Sequence, residues 1–385
     1  MTTPAVSRRD ILVLSRIPGV GPARLRSLIS HFDGTAAVLQ ASPGELLKAE
    51  GVDRRTALSI VSYLRHGIPP AATQFANDQL RSMERAGGRF LTFWDAEYPE
   101  HLKRIYDPPP FLFVIGSLIP RDAAAIALVG TRNPTAYGLR VAERFAMDLA
   151  AKGITIVSGL ARGIDTVAHR AALKAGGRTV AVIGSGINTI YPTENSDLAH
   201  RLAANGALMS EFIMGAKPDA TNFPQRNRII SGMSLGTVVV ETGVEGGAMI
   251  TARLALDQNR EVFAVPSPLS PGGRSGTNLL IREGNASLVE SVEDILQELA
   301  PKLKGLVPDL PLRPQSPLPP LTLFEQKLID VLDDHPQHID IVAEHSGFTT
   351  AEALVHLLSL EFKGVARQLP GKLFLKGLFL SFFQK

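Results

Sequence analysis

Between Ala123 and Pro266 the chain repeats one pattern. A short apolar run, often β-branched, gives way to a break containing glycine, and apolar residues then recur three and four apart. The runs are AIALVG, ITIVSG, RTVAVIG, ALMSEF, TVVVE and EVFAVP. Short apolar strands alternating with helical periodicity predict a parallel sheet covered on both faces. The fold class is therefore α/β, a doubly wound, mostly parallel sheet spanning residues 69–300. Residues 72–120 add a helix, the strand-like RFLTFW and the apolar FLFVIG, which read as lead-in elements without chemistry.

The flanks follow other periods. Residues 1–68 read as a helical domain in which Ile17-Pro18-Gly19-Val20-Gly21 separates two helical stretches, a helix-hairpin-helix pattern. Gly51-Val52-Asp53 resembles a weaker second copy. Residues 301–320 contain LPLRPQSPLPP, the composition of an extended polyproline tether. Residues 321–385 read as three helices and a hairpin turning at Pro370-Gly371, a winged helix. The last residues, KGLFLSFFQK, are unusually apolar for a free tail and are expected to pack or make a contact.

Ligands of doubly wound sheets bind at the carboxyl ends of the strands, where the strand order switches. The special residues collect at those ends. Gly130-Thr131-Arg132 follows the first run, and Ser158-Gly159-Leu160-Ala161-Arg162-Gly163 follows the second. Gly184-Ser185-Gly186 and Tyr191-Pro192 follow the third. A loop carrying Lys217 and Asn222-Phe223-Pro224-Gln225-Arg226-Asn227-Arg228 follows the fourth, and Glu241 with Gly246-Gly247 the fifth. Glycines at strand-to-helix turns let backbone N–H groups approach an anion, and helix N-termini favour negative charge. With Arg132, Arg162, Arg226 and Arg228 among them, these turns predict a phosphate-binding rim. Phe223 is either a base-stacking platform or a core anchor. Asp165 and His169, four apart, read as a helix-start carboxylate and an interhelix histidine. Glu211 and Glu241 are expected to accept hydrogen bonds from turns or to pair with arginines.

Charge refines this picture. Residues 1–68 carry nine Lys/Arg against five Asp/Glu, which suits a polyanion, although the same hairpins also serve as scaffolds docking on protein. Residues 321–385 carry six against eight, and the candidate recognition helix, 350–360, has Glu352 and His356 but no Lys or Arg. A groove-reading helix needs cations, so that module is expected to contact protein. The 385 residues include no cysteine, which excludes disulfides and thiol chemistry, and no apolar run reaches spanning length. A cytoplasmic location is expected, without a membrane span. The competing class is a nucleotide-binding enzyme of the nucleotide phosphoribohydrolase kind. Gly184-Ser185-Gly186 followed by Glu211 partly imitates a dinucleotide site, but Thr189 stands where the third glycine belongs, and no nucleophile–base pair completes a mechanism.

VGTRNPTAYG, IVSGLARGIDTVAHRAAL, GGRTVAVIGSGINTIYPTEN, NFPQRNRIISG and QNREVFAVPS together resemble the DNA-processing protein A (DprA/Smf) family, densely from about 123 to 289. The resemblance implies an extended Rossmann-like fold, with a SAM-like N-terminal domain and a C-terminal winged helix. It also implies single-stranded DNA binding without sequence preference, dimers formed through the Rossmann-like domain, and loading of the RecA recombinase onto DNA, notably in natural transformation. No cofactor and no catalysis are implied. The strand-binding set carried over comprises Arg132, Ser158, Gly159, Arg162, Gly163, Gly184, Gly186, Lys217, Asn222, Phe223, Arg226 and Arg228. Thr193 follows the Tyr-Pro turn where some members place a lysine, and the end after Gly371 is atypically apolar.

Overall fold

The structure, a computed structural model, describes residues 4–268, 275–307, 321–333, 335–363 and 365–376. The chain divides into two compact units, Met1–Leu310 and Pro311–Lys385.

All six predicted runs are strands of one nine-stranded sheet: β3 (Ala125–Val129), β4 (Thr155–Ser158), β5 (Thr179–Val182), β6 (Gly206–Ser210), β7 (Gly236–Val239) and β8 (Glu261–Ala264). The lead-in runs form β1 (Gly88–Thr92) and β2 (Phe111–Gly116), and β9 (Ser287–Leu288) closes the far edge. The order is β1-β2-β6-β5-β4-β3-β7-β8-β9. From β6 to β9 every neighbour is parallel, whereas β2 joins β6 and β1 joins β2 antiparallel. Every residue of β3 through β7 is buried, as continuous apolar runs require. Alternate side chains enter opposite cores. Ile126, Leu128 and Ile156 pack with Phe145, Leu149 and Phe263 on one face. Ala125, Ala127, Val129 and Val157 pack with Ile229, Met233 and Met249 on the other.

The N-terminal helices Arg8–Leu14, Pro22–His31 and Arg54–Leu64 frame two hairpins that brace each other. Ser27 Oγ donates to the Glu50 carbonyl at 2.7 Å, and Ser59 Oγ to the Pro18 carbonyl at 2.8 Å. Arg24 spans both hairpins, donating to the Gly19 and Gly51 carbonyls at 2.8 Å each. The second copy is therefore real. Their core is continuous with the sheet flank through Met83, Phe90, Phe111 and Phe113. Arg26 also pairs with Asp107 at 3.2 Å, so the helical module is packed on the sheet domain rather than tethered to it.

The linker expectation needs one correction. Helix Val292–Leu303 runs into the expected tether, and Leu303 and Val307 are buried in the sheet domain's core. Residues 308–320 lie outside the described residues. In the second unit, helices Leu323–Val331, Ile339–Ser346 and Thr350–Phe362 pack on a small sheet of β10 (Gln337–His338), β11 (Ala366–Leu369) and β12 (Leu373–Lys376), the expected winged helix. Its core holds Leu328, Val342, Leu357, Leu360 and Phe374. The apolar tail, 377–385, lies outside the described residues.

Candidate nucleic-acid interface

The switch in strand order falls at β3, whose neighbours β4 and β7 are reached by connections running in opposite directions. The turns after these strands close on one another. Gly163, at φ 77°, lies so near the first turn that a Cβ there would sit 2.4 Å from the Thr131 carbonyl oxygen. Only glycine allows that approach. The first turn is held from the other side by Glu241. Its carboxylate accepts from Thr135 N–H at 3.1 and 3.2 Å and from Thr135 Oγ1 at 3.0 Å, while its carbonyl accepts from Thr131 N–H at 2.7 Å. Thr135 in turn caps helix Ala136–Ala151. Glu241 is a clamp, fully engaged with the turn, as its position at a strand end suggests.

Within the second turn, the Asp165 carboxylate accepts from Gly159 N–H at 3.1 Å and Ala161 N–H at 3.3 Å. Burial pushes its carboxyl upward from the ordinary range, and the neighbouring Arg226 charge opposes that shift. His169 is fully buried with Nδ1 2.7 Å from Thr179 Oγ1, and burial lowers it to about 3, so the ring is neutral. Asp165 supports the turn, His169 ties its helix to the start of β5, and neither reaches the surface. Ser158 is likewise buried, its hydroxyl donating to the Leu128 carbonyl at 2.7 Å.

Arg132 and Arg162 stand exposed on the rim. Arg162 forms a two-pronged pair with Glu194 at 2.7 and 2.8 Å, which raises its already high pKa. The Arg132 guanidinium lies 5.1 Å from the centroid of the Phe223 ring. Phe223 is half-buried, packs on Gly184 and has the exposed Tyr191 ring 6.2 Å away. Asn222 Nδ2 donates to the Gly184 carbonyl at 3.1 Å. Gly186 serves the loop crossing behind: a Cβ there would stand 2.5 Å from the Ile213 carbonyl oxygen, and its N–H donates to Ala216 O at 2.9 Å. Lys217 is exposed one residue further on.

Three expectations fail here. Residues 222–228 belong to helix Asn222–Gly232, not to a loop. The helical turn therefore separates two arginines that stand only two positions apart in the sequence. Arg226 is 4% exposed and donates Nη1 to the Gly159 carbonyl at 2.6 Å and to the Val182 carbonyl. Burial lowers it to about 10. Arg228 pairs with the largely buried Glu211 at 2.5 Å and with Asp107 at 3.6 Å. Neither is a surface cation. Arg226 ties the second and third turns together, and Arg228 ties the sheet domain to the segment that meets Arg26.

Between two clefts stand the exposed guanidinium of Arg132 and the half-buried ring of Phe223. The larger, about 400 Å³, is lined by Thr131, Asn227, Thr242 and the glycines Gly246 and Gly247 at the start of helix Gly247–Asp257. The smaller is lined by Gly159, Arg162, Gly184, Ser185 and Tyr191. Backbone donors, a cation over an aromatic face and a second exposed ring suit a phosphodiester strand with unstacked bases. Asn227, Thr242 and Tyr191 also line these clefts and are absent from the set read from sequence. Tyr191 and Asn227 stand in motifs the sequence does single out, and Thr242 directly follows Glu241 at its strand end.

Comparisons with known proteins agree with this architecture. The family model for DNA recombination-mediator protein A matches residues 89–300, a DprA winged-helix model 313–372, and a SAM-like helix-hairpin-helix tandem 11–66. Protein Smf of Escherichia coli (strain K12) is 40% identical over 345 residues, covering 89% of this chain and 87% of its own. The X-ray structure of DNA processing protein A from Streptococcus pneumoniae matches at TM-score 0.65 and 30% identity, over 76% of this chain and 98% of that one. The structure of DNA processing protein A from Helicobacter pylori, reported for its single-stranded DNA binding mode, matches at TM-score 0.50 and 29% identity, over 56% and 97%. With a tandem hairpin module, a Rossmann-like sheet and a winged helix in the same order, this chain belongs to the DNA recombination-mediator protein A family, the DprA/Smf proteins.

Proposed function

We propose that this protein binds single-stranded DNA without sequence preference along the carboxyl-end rim of its sheet, and that it loads RecA recombinase onto the bound strand in recombination and DNA uptake. The observation that carries this reading is the exposed Arg132 over the half-buried Phe223 ring, set among glycine turns between two clefts. The single-stranded DNA binding mode described for the Helicobacter pylori relative supports it. In this reading Arg132, Arg162 and Lys217 meet phosphates. The backbone of Ser158, Gly159 and Gly163 and that of Gly184 and Gly186 shape the anion-facing turns, Asn222 orients the third turn, and Phe223 stacks a base. Arg226 and Arg228 act as positioning residues. Two copies associate through the sheet domain, and no bond is made or broken, since Glu241 is consumed by Thr135.

The test is a titration of single-stranded oligonucleotides across salt concentrations. Each phosphate neutralised on a single strand contributes about −0.7 to the slope of log K against log salt. Arg132→Ala is expected to weaken binding and flatten the slope by about that amount for every base sequence. Phe223→Ala is expected to cost about 1–3 kcal/mol with the slope unchanged. Arg228→Ala lowers thermal stability and leaves the slope alone. Folded Arg132→Ala and Phe223→Ala proteins with wild-type affinity would overturn the assignment. The 400 Å³ cleft at the helix start favours one second reading, a mononucleotide site. Competition of the oligonucleotide by a nucleoside monophosphate at comparable concentration would support that reading instead.

A further inference from the structure

The helical module and the lead-in segment together carry a second cation set on an aromatic ring. The Arg16 guanidinium lies 4.8 Å from the centroid of the Phe75 ring, the same arrangement as Arg132 over Phe223. Arg16 is exposed two residues past helix Arg8–Leu14, and Phe75 is half-buried in helix Pro70–Arg85. Among the described residues Arg16 has no carboxylate partner, whereas Arg162 is already engaged by Glu194. Arg16 also lines a cleft of about 200 Å³, walled by Val20 and Pro22 of the first hairpin and by Pro110, Glu211 and Ile213. The carboxylate in that wall, Glu211, is matched by Arg228, so the cleft keeps the positive charge of Arg16.

Topology puts this cleft at the same end of the sheet as the rim. β2 is antiparallel to β6, so it begins near Phe111 where β6 ends near Ser210. β1 is antiparallel to β2 in turn and so runs with β6. Helix Pro70–Arg85, joined to β1 by Ala86-Gly87, therefore starts near the carboxyl end, with Phe75 in its second turn. The loop after β6 links the two places. Met214 N–H donates to Gln79 Oε1 at 2.7 Å, one helical turn beyond Phe75, and Gly215 N–H donates to Asn188 Oδ1 at 2.7 Å, just past the third glycine turn. Lys217 is exposed on the same loop. We propose that the strand bound at the rim continues across this loop to Arg16, which meets a phosphate in the cleft at the first hairpin. The inference rests on the strand-binding reading of the rim and adds to it a second anchor, supplied by the hairpin module. A guanidinium held on a ring is already ordered, so binding freezes fewer rotamers there. A phosphate contact carries no base information, so the longer footprint stays indifferent to sequence.

The test is a length series of oligothymidylates, from about 6 to about 30 nucleotides, titrated into the full-length protein across salt concentrations. The shortest members reach the rim alone, and the longest reach both anchors. Arg16→Ala is expected to match the wild type on the shortest member. On the longest it is expected to bind about fivefold more weakly at 0.1 M salt, with the slope of log K against log salt flattened by about 0.7. Arg16→Lys keeps the charge and is expected to restore that slope. Arg132→Ala, the control for the rim, is expected to weaken binding at every length. Wild-type affinity and slope for Arg16→Ala on the longest member, with Arg132→Ala weakened throughout, overturn the second anchor and leave the rim in place. An equal loss for Arg16→Ala at every length overturns it too, since Arg16 would then act through the rim or the fold. Unchanged binding by folded Arg132→Ala at every length would overturn the rim reading, and this inference with it.

Discussion

A buried histidine gives this molecule a pH dependence that its surface charges do not. His169 is fully enclosed, and its folded pKa is about 3, against about 6.5 in an unfolded chain. Between those values the unfolded chain takes up a proton that the folded one refuses. Stability therefore falls as pH drops from about 6.5 toward 3, at up to about 1.4 kcal/mol per pH unit. At pH 5 the loss assigned to this one residue is about 2 kcal/mol relative to pH 7. His169→Asn keeps a polar atom near Thr179 Oγ1 but has no proton to gain. Thermal unfolding from pH 7 to pH 5 is expected to lower Tm more in the wild type than in this variant. Parallel profiles would show that the imidazole contributes nothing to acid sensitivity. The same scale explains how Arg226 and Arg228 differ from their appearance in the sequence. FPQRNR looks like a cationic loop, but a helix turns consecutive side chains about 100° apart. One guanidinium therefore enters the core beneath the turns, and the other faces Glu211.

At the scale of elements, most of the architecture is legible. Six apolar runs are strands because a parallel sheet buried on both faces needs continuous apolar sequence, and the glycine breaks are turns because backbone must pass close to backbone there. The winged helix is readable from three periodic stretches and the Pro370-Gly371 turn. The order of strands is not readable, since nothing in β1 or β2 says that they extend the sheet beyond β6 in antiparallel fashion. Nor is the boundary after the sheet domain, because Pro301 inside helix Val292–Leu303 disguises it as tether. That helix carries a prediction. A chain ending at Val307 retains Leu303 and Val307 in the core and is expected to bind single-stranded DNA within about threefold of the full protein, since the removed unit carries no net positive charge. A chain ending at Pro301 loses both and is expected to unfold at lower temperature by several degrees, as losing buried apolar side chains costs about 1.5–3 kcal/mol each. Loss of binding in the Val307-terminated chain, with its Tm intact, would make the winged helix a strand reader.

Across the whole first unit, contacts link parts of the chain that lie far apart. Arg26 in the hairpin module meets Asp107, Asp107 meets Arg228, and Arg228 meets Glu211, so helical module, lead-in segment and sheet share one charged junction. Burial raises the Glu211 carboxyl, and Arg228 opposes that shift. The turns that face the proposed strand are held in the same long-range way. Arg226 reaches back 67 residues to the Gly159 carbonyl, and Glu241 reaches back 106 residues to Thr135. A growing polypeptide thus emerges with its first three glycine turns ahead of the residues that brace them, and non-local closure of this kind is slow. Stalled nascent chains ending near Lys217 are expected to show no retention on immobilised single-stranded DNA, and chains extending through Val265 to be retained once both braces are clear of the ribosome. Retention by the shorter chains would mean that the turns hold themselves. Otherwise the protein stays blind to nucleic acid through most of its own translation.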